Sequence, residues 1–149
     1  MPEDARYRTK VYLETYLDNS NLTEDDDWTE VTFIVAYADP DYPLIRVFAE
    51  LVDLVFAIGD PDSIPLKNAD HSVYGYEEHV PITVWCVDKS GITGTKLKWK
   101  AEAELRRVLE EHPLGSVRSF ECIEDYDQNL GSTVLHSRKF ILKYVRDTT

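Results

Sequence analysis

From Tyr7 to Leu17 the chain alternates. Tyr7, Thr9, Val11, Leu13, Thr15 and Leu17 fall on one face of an extended backbone, and Arg6, Arg8, Lys10 and Glu14 on the other. A period of two rich in β-branched and aromatic residues predicts a strand, with a helix as the alternative. Asp18–Asp27 (DNSNLTEDDD) reads as a loop, because Asp25, Asp26 and Asp27 repel one another in any ordered element. Trp28–Tyr37 predicts a second strand, strongest at Val31, Phe33, Val35 and Tyr37. The two strands are expected to pair as a hairpin with a long loop.

Asp39-Pro40-Asp41-Tyr42-Pro43 then predicts the start of a helix from about Leu44 to Ile58, with Asp39 or Asp41 as its cap and Gly59 as its end. Within it only Arg46, Glu50 and Asp53 are polar, and they form one narrow stripe. An ordinary surface helix has a single apolar face. Here the apolar arc is wider, yet the segment is too short and too charged to span a bilayer. Such a helix is covered either by its own sheet and loops or in part by a second subunit. Leaving Phe48 and Leu54 in water would forfeit ~1.5–3 kcal/mol each.

Asp60–Glu78 carries scattered Pro, Asp and Gly and reads as a long connection, the kind that is functional or mobile. Its tyrosines, Tyr74 and Tyr76, are candidate contact residues. His79–Asp88 (HVPITVWCVD) predicts a central strand covered on both faces, with Pro81 tolerated near its start. A second helix, about Thr95–His112, buries Leu97, Ala101, Leu105, Val108, Leu109 and His112. Lys98, Glu102, Arg106 and Glu110 follow one another on its exposed side. Ser116–Tyr126 and Thr133–Arg146 predict two further strands around a Gln128–Gly131 turn. The order is β-β-α-β-α-β-β. It implies one α+β domain over residues 1–149, with a mixed or antiparallel sheet of about five strands and two helices packed on it.

Charge sharpens this picture. The 149 residues carry 16 Lys and Arg against 28 Asp and Glu, a net charge of −12. Residues 1–95 hold 6 basic and 19 acidic side chains (net −13), and residues 96–149 hold 10 and 9 (net +1). This balance argues against phosphate-directed nucleic-acid binding and against anionic membranes. It suits either a solvated acidic surface or an assembly in which the acidic and near-neutral halves meet head to tail.

No catalytic motif emerges. Asp125-Tyr-Asp127-Gln-Asn129-Leu-Gly131 resembles a calcium loop, but its glycine is at position 7 rather than 6, and His136 stands where a bidentate Glu is needed. A hairpin turn is the better account. Gly91-Ile-Thr-Gly94-Thr-Lys96 has too few residues between its glycines for a phosphate loop. His71, His79, His112 and His136 lack metal-ligand spacing, and Cys86 and Cys122 read as separate buried thiols. Neither a metal nor a cofactor is expected. A Cys–His nucleophile is left open, with nothing in the spacing to favour it.

The elements from Leu44 onward carry a resemblance. A helix leads through a long loop to the strand VPITVWCVD. Then come the helix KLKWKAEAELRRVLEE, a strand ending in DYD (Asp125–Asp127), a turn with Gly131, and the strand TVLHSRKFILKYVR. Over about residues 42–147 this order resembles the tail-terminator, or tail-completion, proteins of tailed viruses. Residues 1–41 stand outside it as an N-terminal extension. The resemblance implies a non-enzymatic virion subunit, assembled in the host cytoplasm into a ring, commonly of six copies. That ring would meet other tail or connector proteins. Asp25, Asp26, Asp27, Phe48, Leu54, Tyr74 and Tyr76 are then the candidate subunit or partner contacts. The alternative is a small cellular α+β module that binds a ligand or a protein.

Overall fold

The structure, a computed structural model, describes residues 5–22, 31–38, 52–88, 94–129 and 134–147. Helix α1 (Ala5–Tyr16) and a 3-10 turn (Asn19–Asn21) precede strands β1 (Phe33–Tyr37), β2 (Leu54–Ile58), β3 (Asp62–Lys67) and β4 (Val73–Val87). Helix α2 (Gly94–Glu111) and strands β5 (Ser116–Asn129) and β6 (Val134–Asp147) follow. The sheet runs β1-β2-β4-β6-β5. Among the described strands only β1 and β2 are parallel; every other described pair is antiparallel. The result is an α+β fold with, among the described residues, two α-helices and a six-stranded mixed sheet.

β4 organises the sheet. β6 flanks it from Gly75 to Val87 on one side. On the other side β3 pairs its first half and β2 its second. β2 and β3 therefore follow one line along β4, bridged where the Gly59 N–H donates to the Pro81 carbonyl at 2.9 Å. Alternation along β4 sends Val80, Ile82, Val84 and Cys86 to the helix-covered face, where they are buried. Leu54, Phe56 and Ile58 join them from β2, and Phe140, Leu142 and Tyr144 from β6, all fully or almost fully buried. α2 closes this layer with Leu97, Ala101, Leu105 and Val108. A truncation at its centre, Phe56→Ala, would cost about 3–5 kcal/mol.

Several sequence expectations are corrected. Tyr7–Leu17 is helix and not strand over Tyr7–Tyr16, so it forms no hairpin with β1, which pairs with β2. The buried residues of α1 are Ala5, Thr9, Tyr12 and Leu13, spaced as one helical face. Thr9 and Thr15 are accommodated by hydroxyls that donate to the carbonyls of Ala5 and Val11, each at 2.7 Å. The expected helix over Leu44–Ile58 is a strand from Leu54 to Ile58; residues 44–51 lie outside those described. All five β2 residues are fully buried by their own chain. The missing polar face there reflects a strand covered on both sides, not a helix awaiting a partner.

The expected loop Asp60–Glu78 is largely β3 and the first six residues of β4. Pro65 is tolerated because β3 lies at the sheet edge. Gln128 and Asn129, expected in a turn, pair with Leu135 and Val134 as the end of β5. The order of described elements is thus α-β-β-β-β-α-β-β.

Side chains lock the helices in place. Arg6 donates to the Ile58 and Ala38 carbonyls, both at 3.1 Å, and stacks on Tyr37, which ties α1 to the ends of β1 and β2. The Tyr12 hydroxyl donates to the Val108 carbonyl at 3.0 Å, beside that of His112, and so caps the carboxyl end of α2. Burial pushes the Tyr12 phenol up to about 12. The carboxylate of Glu104 accepts from the Asp18 backbone N–H (2.7 Å), Asn21 (2.9 Å) and Arg107 (2.6 Å), joining the 3-10 turn to α2.

Candidate functional site

Two features stand out once the core is accounted for. The first is a charged cluster under the amino end of α2. Strand alternation brings Asp125 and Asp127 of β5 and His136 and Arg138 of β6 to the helix-covered face. α2 lowers Lys98 and Glu102 onto them. Both were expected on the exposed side of α2; instead they are 4% and 8% exposed, because their neighbours in the sheet are carboxylates and a guanidinium rather than water.

The cluster is fully engaged. His136 contacts Asp127 through Nδ1 at 2.7 Å and Asp88 through Nε2 at 3.1 Å. Asp88 Oδ1 also accepts the first backbone N–H of α2, from Gly94, at 2.7 Å. The ammonium of Lys98 donates to Asp125 (2.5 Å) and Asp127 (3.4 Å). Arg138 joins Glu102 (3.0 Å) to Asp125 (2.9 Å) and lies 4.1 Å over the half-exposed ring of Trp99. The hydrogen bond from His136, with help from Lys98, holds the Asp127 carboxyl below its ordinary range. Burial works against the charge of Lys98, but the two aspartates outweigh it and hold the ammonium above its usual value.

This arrangement clasps the amino end of α2 to β5 and β6. Cys86 lies opposite His136 on the same face. Its thiol donates to the Gly94 carbonyl at 3.2 Å, and burial pushes it up to about 12, so it stays protonated near neutral pH. Both ring nitrogens of His136 are taken by carboxylates, so the imidazole is not turned to that thiol. Among the described residues no group of three or more His, Cys, Asp or Glu side chains could hold a metal ion.

The second feature is the outer edge of β5. This 14-residue strand pairs with β6 on one side, and no described strand pairs its other side. The register slips between Cys122 and Glu124, so Ile123 has no cross-strand partner and is 55% exposed. Tyr126 is exposed further along, and Glu121 and Glu124 flank the bulge in solvent. A long open edge with apolar residues is a template for another chain, while a bulge and carboxylates restrict which chain can use it.

The expected contact residues are not gathered in one place. Asp25, Asp26, Asp27 and Phe48 lie outside the described residues. Leu54 is inside β2 with no exposed surface to offer a partner. Tyr74 is exposed near the tip of the β3–β4 hairpin, and Tyr76 is half-buried on the same face with Arg146 stacked at 4.7 Å. Ten residues of β4 separate Tyr76 from Cys86, the partner of Leu54; at strand rise that is roughly 33 Å.

No protein-family model matches the chain, and no curated protein matches it either. Among the described residues no helix is long and apolar enough to cross a membrane.

Proposed function

We propose that this chain is a non-enzymatic structural subunit of a virus tail or neck, a ring-forming protein of the tail-terminator or tail-completion kind. The observation that carries the proposal is the open edge of β5, with Ile123 raised on a bulge and Tyr126 beside it. Apolar residues on an unpaired edge suit repeated self-association better than they suit a solitary catalyst. The engaged state of the charged cluster agrees with this, since its ionisable groups are spent on each other. β4, α2, β5 and β6 follow the order strand, helix, strand, strand, with β5 running past Asp125–Asp127 to Asn129, although the leading helix of the resemblance is not kept at Leu54–Ile58. In a ring, a net charge of −12 would keep DNA from sticking to the lumen. Other tail or connector proteins would bind the ring faces.

The test is native mass spectrometry and negative-stain electron microscopy of the purified chain. A closed oligomer, with six copies as the first expectation, is the predicted result. A monomer at every concentration and salt condition would overturn the proposal. The competing reading is a cellular binding module. It draws on the exposed Ile64, Val73 and Tyr74 of the β3–β4 hairpin, and predicts a monomer whose fold is complete without partners.

A further inference from the structure

α1 is apolar on two sides. Its inner face packs on the sheet, yet Tyr7 and Val11 on its outer side are exposed, and Tyr16, one turn beyond Tyr12 at the helix end, is partly exposed while stacked on His112 at 4.0 Å. With Arg8, Tyr12 and Leu114 they line an open groove of about 340 Å³. Leu114 follows α2, so the groove lies at the carboxyl end of that helix, away from Lys98 and the charged cluster. Exposed tyrosines, a valine and an arginine around one depression have the composition of a contact surface.

The same chain carries a matching projection. Ile123 stands out from the β5 bulge between the exposed carboxylates of Glu121 and Glu124. Charge favours bringing the two together. α1 carries Arg6, Arg8 and Lys10 against Glu14, a net of +2. Apart from Asp125 and Asp127, which Lys98, His136 and Arg138 already engage, β5 carries Arg118 against Glu121 and Glu124, a net of −1. Charge also disfavours pairing β5 with itself, since antiparallel self-pairing centred on Ile123 would set Glu121 of each copy opposite Asp125 of the other.

We propose that the occupant of the α1 groove is the β5 bulge of a second copy of this chain, with Ile123 entering between Tyr7, Val11 and Tyr16, and Glu121 and Glu124 facing Arg8. The contact joins two different patches. It is therefore heterologous, and repetition produces a closed ring or an open filament. This inference rests on the reading of the chain as a ring subunit and supplies its interface.

The test uses the full chain and two variants at exposed positions, Ile123→Asp and Val11→Asp, each checked for folding by circular dichroism and thermal melting. Light scattering and native mass spectrometry then give the assembly state. Wild type is expected to assemble and each variant alone to be monomeric. An equimolar mixture is expected to form one-to-one heterodimers and nothing larger, because each variant keeps one intact half of the contact. Arg8→Glu is expected to weaken assembly about tenfold, with partial recovery on adding Glu121→Lys and Glu124→Lys. If wild type assembles and both aspartate variants assemble equally well, this interface is wrong while the ring reading stands. If the variants disperse but their mixture stays monomeric, the heterologous pairing is wrong. A wild type that never assembles removes both.

Discussion

Cys86 and His136 face each other across β4 and β6, and neither activates the other. The thiol is held protonated by burial and turned to the Gly94 carbonyl, while Asp88 and Asp127 occupy both imidazole nitrogens. Cys86 is accordingly expected to resist alkylation. The half-buried Cys122 on β5 is expected to react. Intact mass after maleimide treatment should show one adduct on the native protein and two after unfolding. Rapid double labelling of the native protein would contradict the clasp.

Gly94 has its place because of His136. A methyl group at Gly94 would lie 2.1 Å from His136 Cδ2 and 3.0 Å from Asp88 Oδ1. Gly94→Ala should therefore destabilise by about 1–3 kcal/mol through overpacking, even though Ala is the better helix residue by up to ~1 kcal/mol. The urea midpoint decides the sign. A stabilised variant would show that His136 yields easily and that the contact with Asp88 is not fixed.

The sequence was legible where one period dominated. Leu97, Ala101, Leu105 and Val108 announce α2, and the alternating Val80, Ile82, Val84 and Cys86 announce β4 as a central strand. It misled where two faces were both apolar. In α1, Tyr7 and Val11 outside and Thr9 and Leu13 inside mimic the alternation of a strand. LVFAI in β2 has no polar residue to set any period, so a buried strand and a buried helix look alike. Gly75, which suggested a loop, is a strand residue whose Cβ position would lie 2.9 Å from the Arg146 carbonyl; it permits close approach of β6. The charged cluster was not legible, because Asp88, Lys98, Asp127 and His136 come from separate segments. Its one sequence signal is the pair of acids at Asp125 and Asp127, which share a face on any strand.

Glu78 is fully buried and depends on Arg146, whose Nε donates at 2.7 Å, and on the hydroxyl of Ser63. Arg146→Met strands a buried carboxylate and should cost about 3–5 kcal/mol. Adding Glu78→Leu should recover most of that loss, since an apolar pair of similar volume removes the uncompensated charge. Urea denaturation of wild type, single and double variants measures this. A single variant within about 0.5 kcal/mol of wild type, the range of ordinary surface changes, would show that water reaches Glu78.

Asp127 should shape the acid limb of the stability curve. The hydrogen bond from His136 holds its folded value below the ordinary carboxyl value of about 3.9. A group depressed in this direction contributes stability that is present above its unfolded value and lost as pH falls through its folded value. Asp18 and Asp70 act in the same sense, through hydrogen bonds from Ser20 and Ser72. Lys98 works at the other end. Its raised value contributes stability below about pH 10.4, lost as pH rises through the folded value. Urea midpoints between about pH 2 and about pH 7 should therefore fall less steeply on the acid side for Asp127→Asn than for wild type. Loss of the Lys98 and His136 contacts should lower the Asp127→Asn curve most near neutrality and bring the two curves together in acid. Parallel curves across the whole range would mean that Asp127 exchanges its partners for water without cost, and the clasp would then be only a surface arrangement of charges.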